Sequence, residues 1–501
     1  MSEGEIQVDR GDAQRQPISE AKVISYASMY LPVSMALLPV ALYVIPFYAE
    51  LGIPLYVMSA IILGARLSDA FTDPLIGVLS DNTKTPWGRR KPWILLGTPL
   101  LMLSLYKLLV PPVDVTAWYF GTWSVLLYFG YTLVALPYYA WGAEMSTSYE
   151  FRTHITARRE QAHFAGYLCF NFLPLTAALV IYFSTTSSTD LSSVLANFST
   201  EFQVIMAERA GNIAVILEWL ATFVLIAIPV TVLFALFTVP EPQLATIERQ
   251  QRGFLASAKV VTRNGPYVRV VVTYMVVGGG IAMTAAMSYF FVKHVINAGE
   301  LYPIFLLVYY GASVFGVAPW TKLSKRLGKH RTMLYGLLWY AFWSSWIPFI
   351  PEGEFVLFMV VMCFKGSVVG AMFALLASMA ADTVDVDFAR TGKNRAGLYF
   401  SVWGSLRKGT AAAGGALGIA GAAFFGFDPL VDPDLVGTAS GNSTTSLMWL
   451  ACLYSIIPAS LNFLILPMLS GYPLTEERQK RLRDRLDRKI ARLGRFEQFG
   501  K

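Results

Sequence analysis

The sequence predicts an all-α membrane protein with twelve transmembrane helices arranged as two six-helix bundles. Three observations predict this fold. The composition is 55% hydrophobic and only 15% charged, the apolar residues fall in runs long enough to cross a bilayer, and Lys and Arg are concentrated in alternate loops. A soluble domain usually contains about 25% charged residues. Most of this chain is therefore expected to face lipid or protein rather than water.

A spanning helix needs about 20 predominantly apolar residues, and twelve segments approach or exceed that length. Spans 1 to 6 are predicted at residues 25–49, 54–80, 92–111, 115–144, 159–184 and 213–239. Spans 7 to 12 are predicted at residues 267–294, 301–322, 331–351, 355–381, 396–426 and 445–470. The segment between the two sets is polar and charged. It predicts a cytoplasmic linker at 240–266 between a bundle at 25–239 and a bundle at 267–470.

The two halves contain a weak internal sequence repeat. The segment GVLSDNTKTPWGRRK at 77–91 follows span 2, and TKLSKRLGKHR at 321–331 follows span 8, the equivalent place in the second half. Both put a glycine and a basic cluster at the end of a helix. Two related six-helix halves favour a major facilitator architecture, with solute bound between the halves near the middle of the membrane. A twelve-span channel is the alternative.

The distribution of positive charge predicts the orientation of the chain in the membrane. Basic residues cluster in one set of loops, at Lys84, Arg89, Arg90 and Lys91, at Arg152, Arg158 and Arg159, at Arg249, Arg252, Lys259 and Arg263, at Lys325, Arg326, Lys329 and Arg331, and at Arg390, Lys393 and Arg395. The alternate loops nearly lack them. Because short cytoplasmic loops carry the excess of Lys and Arg, residues 1–24 predict a cytoplasmic N-terminal tail and 471–501 a basic cytoplasmic tail helix. We expect an integral protein of the plasma (inner) membrane with an external loop at 185–212.

Several classes of function are disfavoured. No basic face is interleaved with aromatic residues, so nucleic acid is not an expected partner. The four histidines lack metal-ligand spacing, and no nucleophile–base arrangement or phosphate-binding loop is present. We therefore expect neither an enzyme nor a cofactor, and instead a monomer that contacts membrane lipid, a small solute and a coupling cation.

Charged residues inside the predicted spans are the most informative features, because they are costly to keep in a membrane. Span 2 contains GARLSDAFTDPLIGVLSD, in which Asp69 and Asp73 are four residues apart and share one helix face. Arg66 lies on the same face. Two carboxylates this close in a low dielectric cannot both stay ionised without help. Either one binds a proton or a cation such as Na+ lies between them, which is the requirement of a coupling-ion site. The alternative is that Arg66 neutralises one carboxylate and the group only holds helices together.

Other candidate residues belong to the predicted solute site or to gates. Arg407 and Lys408 lie within span 11, and Lys365 within span 10, with no carboxylate in their own spans. Lys408 is predicted to reach the Asp69 and Asp73 pair and to compete there with the cation. Tyr138 and Tyr139 follow Pro137 in span 4, where aromatic faces suit a sugar ring or ordinary packing. The residues with a predicted structural or gating role are Arg66, Asp81, Arg89, Arg90 and Glu144.

The span 2 sequence ARLSDAFTDPLIGVLSDNTKTPWGRRKPWILLGT at 65–98 resembles a signature of the glycoside–pentoside–hexuronide:cation symporters, the group that contains melibiose permease. The segments at 136–146, 157–167, 379–387 and 405–411 add independent support. The resemblance implies a major facilitator fold and symport of a sugar or glycoside with H+ or Na+. It also implies cation ligands at Asp69 and Asp73 with Thr132 beside them, a lysine at Lys408 between the ion and sugar sites, and a sugar-pocket arginine at Arg159, which the sequence also positions to meet an anionic group or Glu144.

Two departures from that family bear on the substrate. Melibiose permease holds sugar hydroxyls with carboxylates in spans 1 and 4, and the matching positions here are Ser34 and Ala135. Both acidic anchors are missing, while Lys365 is added. We therefore predict an anionic glycoside such as a hexuronide. A lysolipid or another amphiphilic anion, carried by the same fold, is one alternative, and a membrane sensor that transports nothing is another.

Overall fold

The computed structural model describes most of the predicted helical core. The described residues are 19–83, 85–145, 154–155, 158–159, 161–163, 165–172, 176, 213–241, 261–391, 396–436, 438, 441–474, 477–479 and 481–482. Most of the predicted N-terminal tail, the predicted external loop at 185–212 and the linker residues 242–260 lie outside them. The same holds for the end of the basic tail from residue 483 onward.

The helices of the first half follow the predicted spans closely. Span 1 is three helical segments in succession, Glu20–Ser28, Tyr30–Leu42 and Val44–Glu50. Spans 2, 3, 4 and 6 are Leu55–Asn82, Lys91–Leu109, Ala117–Glu144 and Ile213–Thr238. Span 5 is represented by helical residues between 158 and 176, including the run 165–172. The bounds of spans 1, 2, 3, 4 and 6 agree within a few residues with the bounds that hydropathy predicts.

The second half repeats the pattern, with two irregular spans. Spans 7, 8, 9 and 11 are Gly265–His294, Tyr302–Leu327, Lys329–Trp346 and Ala396–Phe424. Span 10 is predicted as one helix but consists of Phe355–Gly366 and Val369–Thr391, with a break at residues 367 and 368. Span 12 consists of Thr444–Ala451, a π-helical turn at Cys452–Ile456, and Ile457–Ser470. Among the described helices, spans 3, 4, 6, 7, 8, 10 and 12 are both long and apolar enough to cross a membrane.

Glycines bring neighbouring helices of each half close together. A Cβ at Gly130 in span 4 would lie 2.9 Å from the backbone nitrogen of Leu101 in span 3. A Cβ at Gly414 in span 11 would overlap the carbonyl group of Gly279 in span 7. Close approach of this kind is typical of helix packing in membranes, where small residues form the contact. It is consistent with two six-span bundles, whose boundaries at 25–239 and 267–470 stay predictions.

The two halves meet along spans 1, 2, 7 and 11. We call the face where span 1 begins and span 12 ends the terminal face, and the other the opposite face. At the opposite face, Lys293 at the end of span 7 pairs with Glu50 at the end of span 1, with 2.6 Å between Nζ and Oε1. Ser59 in span 2 donates a hydrogen bond of 2.9 Å to the carbonyl of Ala416 in span 11. These contacts join the halves on that side of the membrane centre.

Candidate functional site

An ion pair joins the two halves at the centre of the molecule. Lys408 Nζ in span 11 lies 2.6 Å from Asp73 Oδ2 in span 2. Thr132 in span 4 donates a hydrogen bond of 3.0 Å from Oγ1 to the other oxygen, Asp73 Oδ1. Three helices from both halves therefore converge on one carboxylate. Lys408 neutralises Asp73 from the other half of the molecule.

Asp69 lies one helical turn before Asp73 and is almost fully buried, with 6% of its surface exposed. Its Oδ2 is 3.5 Å from Arg66 Nη1, and the Arg66 guanidinium stacks 3.8 Å from the centre of the Tyr128 ring. The other oxygen, Oδ1, is buried without a hydrogen-bond partner among the described residues, as is the hydroxyl of Thr72. Buried polar oxygens normally have partners. These two are free to accept from a proton donor or to bind a cation.

A second group of side chains lies where the two halves meet, and we call the space that it surrounds the tyrosine cavity. The hydroxyls of Tyr30, Tyr131 and Tyr139 form a cluster, with 2.6 Å between Tyr30 and Tyr139 and 3.2 Å between Tyr131 and Tyr139. Arg159 from span 5 stacks its guanidinium 4.6 Å from the Tyr139 ring. Arg407 from span 11 interacts electrostatically with the same three phenols and with Tyr274. It is exposed although it lies well inside its span, so it faces this cavity.

Two predicted solute contacts, Tyr138 and Ser34, pack between helices of the first half and do not face the tyrosine cavity. Tyr138 is fully buried; its ring stacks 4.4 Å from that of Tyr26, and its hydroxyl donates to the Tyr26 carbonyl at 3.1 Å. Ser34 is also fully buried and donates to the carbonyls of Leu31 and His163 at 2.9 and 3.2 Å. Both side chains join helices of the first half. Tyr139, the neighbour of Tyr138, is the residue that faces the arginines.

Lys365 lies apart from the two cavity arginines. Its side chain is fully buried, and its Nζ lies 4.9 Å from the ring centre of Tyr340 in span 9 and 5.0 Å from that of Tyr454 in span 12. These tyrosines are different from the ones that surround Arg407. The structure thus brings Arg159 and Arg407 to one cavity and does not bring Lys365 to it.

Three of the predicted gating residues, Arg89, Arg90 and Glu144, form a network at the terminal face. Glu144 at the end of span 4 pairs with Arg89 at 3.1 Å and with Arg90 at 2.8 Å. These two arginines, rather than Arg159, are its described partners, because their loop folds beneath span 4. Arg90 Nη1 also donates to Ser80 Oγ at 2.8 Å. The side chain of Asp81 lies outside the described part of the chain.

Sequence reasoning missed one member of this network. Glu241, directly after span 6, accepts hydrogen bonds from the backbone nitrogens of Arg89, Arg90 and Lys91 at 2.7, 2.8 and 3.2 Å. These nitrogens open the helix of span 3, where unpaired N–H groups attract anions. The EPQ sequence at the start of the linker contains this glutamate. The sequence does not indicate that Glu241 contacts the start of span 3.

Comparison with known proteins identifies the family. The family model described as MFS/sugar transport protein matches residues 25–476. The chain is 23% identical to the glucuronide carrier protein homolog of Escherichia coli (strain K12), over 93% of this chain and 95% of that protein. It is 27% identical to the sodium-dependent lysophosphatidylcholine symporter 1-A of Danio rerio, over 84% of this chain and 79% of that protein.

A solved structure supports the same fold. A bacterial homolog of the human lysosomal transporter Spinster, in an inward-facing and unoccupied conformation, superposes with a TM-score of 0.60 at 12% identity, over 92% of this chain and all of the other. The predicted twelve-helix major facilitator fold, the symporter resemblance and the expectation of a transporter rather than an enzyme are therefore confirmed. The chain is an integral membrane protein that belongs to the MFS/sugar transport protein family.

Proposed function

We propose that this protein is a symporter that couples entry of H+ or Na+ to uptake of an anionic glycoside such as a hexuronide. The observation that carries the proposal is the contact of Lys408 and Thr132 with Asp73, because it links both halves to one ionisable group. The name of the Escherichia coli relative, a glucuronide carrier homolog, supports an anionic sugar. We further propose that the protein works as a monomer in the plasma (inner) membrane, with its terminal face in the cytoplasm.

The cation is proposed to bind between Asp69 and Asp73 and to displace Lys408. The free Oδ1 of Asp69 and the hydroxyl of Thr72 supply unpaired oxygens beside Asp73, and hard cations bind oxygen ligands. A proton on Asp73 would release Lys408 by the same logic, since it removes the negative charge that attracts the ammonium. In both cases the arrival of the ion breaks an ionic contact between the halves. That is the physical link from ion binding to movement.

The anionic group of the solute is proposed to lie between Arg159 and Arg407. Each guanidinium comes from a different half, and both adjoin Tyr139. Arginine binds a carboxylate through two parallel hydrogen bonds, while the phenol hydroxyls of the tyrosine cavity supply donors and acceptors for sugar hydroxyls. A solute held in this way would draw the halves together only when its negative group is present.

A lysolipid or another amphiphilic anion is the second candidate. The name of the Danio rerio relative supports it, and so does an apolar groove of about 640 Å³ between spans 2 and 4, lined by residues such as Val57, Ile61, Ala65 and Val125. An acyl chain fits such a surface, since its lining is apolar. The groove adjoins Arg66, which lies next to Ala65 in span 2.

Uptake into proteoliposomes tests the proposal. The panel holds a hexuronide, its neutral glycoside with the same ring and linkage, and a lysophosphatidylcholine, each under separate H+ and Na+ gradients. We expect accumulation of the uronide against its gradient under one ion gradient, with the neutral glycoside a weaker competitor. Replacing Arg407 by Gln should remove the advantage of the uronide. Equal competition by the two glycosides in the unmodified protein would contradict the anionic assignment, and preferential uptake of the lysolipid would favour the second candidate.

A further inference from the structure

Lys365 is a buried charged residue that the proposed transport site does not use. None of its surface is exposed, and its Nζ has no hydrogen-bond partner among the described residues. The faces of Tyr340 and Tyr454 lie 4.9 and 5.0 Å from the nitrogen on two sides. We call this surrounding the lysine cage. Ionisable residues within membrane spans are costly and typically mark ion or proton pathways.

The lysine cage lies at two irregularities of the helical core. Lys365 is the penultimate residue of Phe355–Gly366, directly before the break of span 10 at residues 367 and 368. Tyr454 belongs to the π-helical turn of span 12 at Cys452–Ile456. π-helical turns are frequent at functional sites, and interrupted membrane helices typically form the binding sites of transporters. Two separate helices therefore depart from regular geometry at the point where their side chains meet one ammonium group.

The groups that face the cage carry hydroxyls rather than charges. Span 9 contributes Tyr340 and span 12 contributes Tyr454, while Tyr309 of span 8 packs against Gly366 and interacts electrostatically with both of these phenols. Span 7 contributes Thr284, which lies 3.4 Å from the Tyr340 hydroxyl. Among the described residues, no acidic side chain acts on the lysine. Two ring faces offset part of the cost of a charge, but an ammonium without a counter-ion remains costly at a buried site.

We propose that Lys365 is a second proton-binding site of this protein, located in the C-terminal half and separate from the Asp69 and Asp73 pair. The amine binds a proton from the aqueous phase when span 10 moves at its break and solvent reaches the cage. It releases the proton when the cage closes around the uncharged amine. The phenols of Tyr309 and Tyr310 lead from the cage toward Tyr167 of span 5 at the interface between the halves. The role of this site in transport rests on the proposed function, whereas its proton binding can be tested without transport.

The test counts protons on the purified full-length protein in detergent, without solute or ion gradient. Wild type and Lys365→Met are titrated potentiometrically between pH 5 and pH 9, and the two curves are subtracted. We expect the wild type to gain one proton more than the variant within this range. The matched control is Lys325→Met, since Lys325 is an exposed lysine of the same half. A solvated lysine keeps its proton throughout this range, so this control should give no difference.

Folding is checked for each variant by its melting temperature and elution profile. Lys365→Gln provides a second variant of different polarity should Lys365→Met aggregate. If both folded variants gain as many protons as the wild type, the lysine keeps its proton and the cage is a structural contact, which overturns the proposal. Because no solute is involved, a protein that fails every uptake assay can still give the one-proton difference. The two proposals therefore fail independently.

Discussion

Thr132 in span 4 contacts Asp73, the carboxylate that also pairs with Lys408. Its hydroxyl donates a hydrogen bond of 3.0 Å to Asp73 Oδ1. Thr132→Val keeps the shape of the side chain but removes this hydrogen bond, which is typically worth about 1 kcal/mol. We expect the apparent affinity for the coupling cation to fall roughly fivefold. The measurement is solute uptake as a function of cation concentration.

The matched control for this change is Thr98→Val. Thr98 is also a buried threonine of the first half, but its hydroxyl bonds the carbonyl of Ile94 within its own helix at 2.7 Å. Its replacement should leave the cation dependence unchanged. A similar loss of affinity in both variants would mean that Thr132 acts only through general packing.

Asp73 is expected to be indispensable for coupling. Asp73→Asn preserves the shape of the side chain but removes the negative charge that attracts Lys408 and the proposed cation. The variant should still exchange solute between equal concentrations and should fail to concentrate it. Asp69→Asn should behave in the same way. Asp114→Asn, at an exposed loop position, is the control that should concentrate solute normally, and accumulation by both span 2 variants would contradict the cation-site assignment.

Residue spacing predicted which charged side chains lie together in span 2 better than it predicted their surroundings. Asp69, Asp73 and Arg66 were identified because charges on one helix face are rare inside a membrane span, and their distances follow from the helical repeat. Tyr30 and Tyr131 were not identified, since tyrosines occur in many spans and only the fold shows which of them meet Tyr139. Lys365 was grouped with the arginines because a sequence gives the charge of a residue but not the direction in which its helix points it.

At the scale of elements, hydropathy predicted where helices lie but not where they are interrupted. Long apolar runs coincide with the described helices, yet span 10 is broken after Gly366 and span 12 contains a π-helical turn. Such interruptions depend on contacts with other helices. A Cβ at Gly316 in span 8 would overlap the carbonyl of Ser367 at the break. The crossing of spans 8 and 10 therefore requires a glycine at this position. The hydropathy of one span does not contain information about such a crossing.

The loop between spans 2 and 3 provides a test of how a helix end is held. Gly88 has a φ of +108°, and a Cβ there would overlap the carboxylate of Glu241. Gly88→Ala therefore combines backbone strain of about 1–2 kcal/mol with displacement of Glu241 from three backbone nitrogens. We expect a lower melting temperature in detergent than for the wild type, measured by the loss of the monodisperse peak after heating.

Gly52→Ala is the control for backbone strain alone. Gly52 lies in the loop between spans 1 and 2 with a φ of +89°, and its Cβ would meet no atom within 4 Å. It should destabilise the protein less than Gly88→Ala does. Equal destabilisation would indicate that Glu241 contributes little to holding the start of span 3.

For the whole molecule, the orientation in the membrane is open to direct test. Val113, between spans 3 and 4 at the opposite face, is 95% exposed, and Trp87, between spans 2 and 3 at the terminal face, is 69% exposed. In a background without the three native cysteines, a cysteine replacing Val113 should react with an impermeant maleimide in intact cells. A cysteine replacing Trp87 should react only after permeabilisation. The reverse pattern would invert the predicted topology. The loop at 185–212, and Ser188 within it, is predicted to label from outside like Val113.

The pair of Lys408 and Asp73 also bears on how the proposed symporter resets after it has released ion and solute. With Lys408 against Asp73, the protein supplies its own neutralising charge to a carboxylate within span 2. For the proposed symporter, the empty carrier can then return between its two states without an ion from either compartment. A carrier without this lysine would have to take the ion back or carry a bare carboxylate through a low-dielectric region, which is costly. In the proposed symporter the lysine thus lets net uptake continue, because the carrier resets after each delivery without carrying the ion back out.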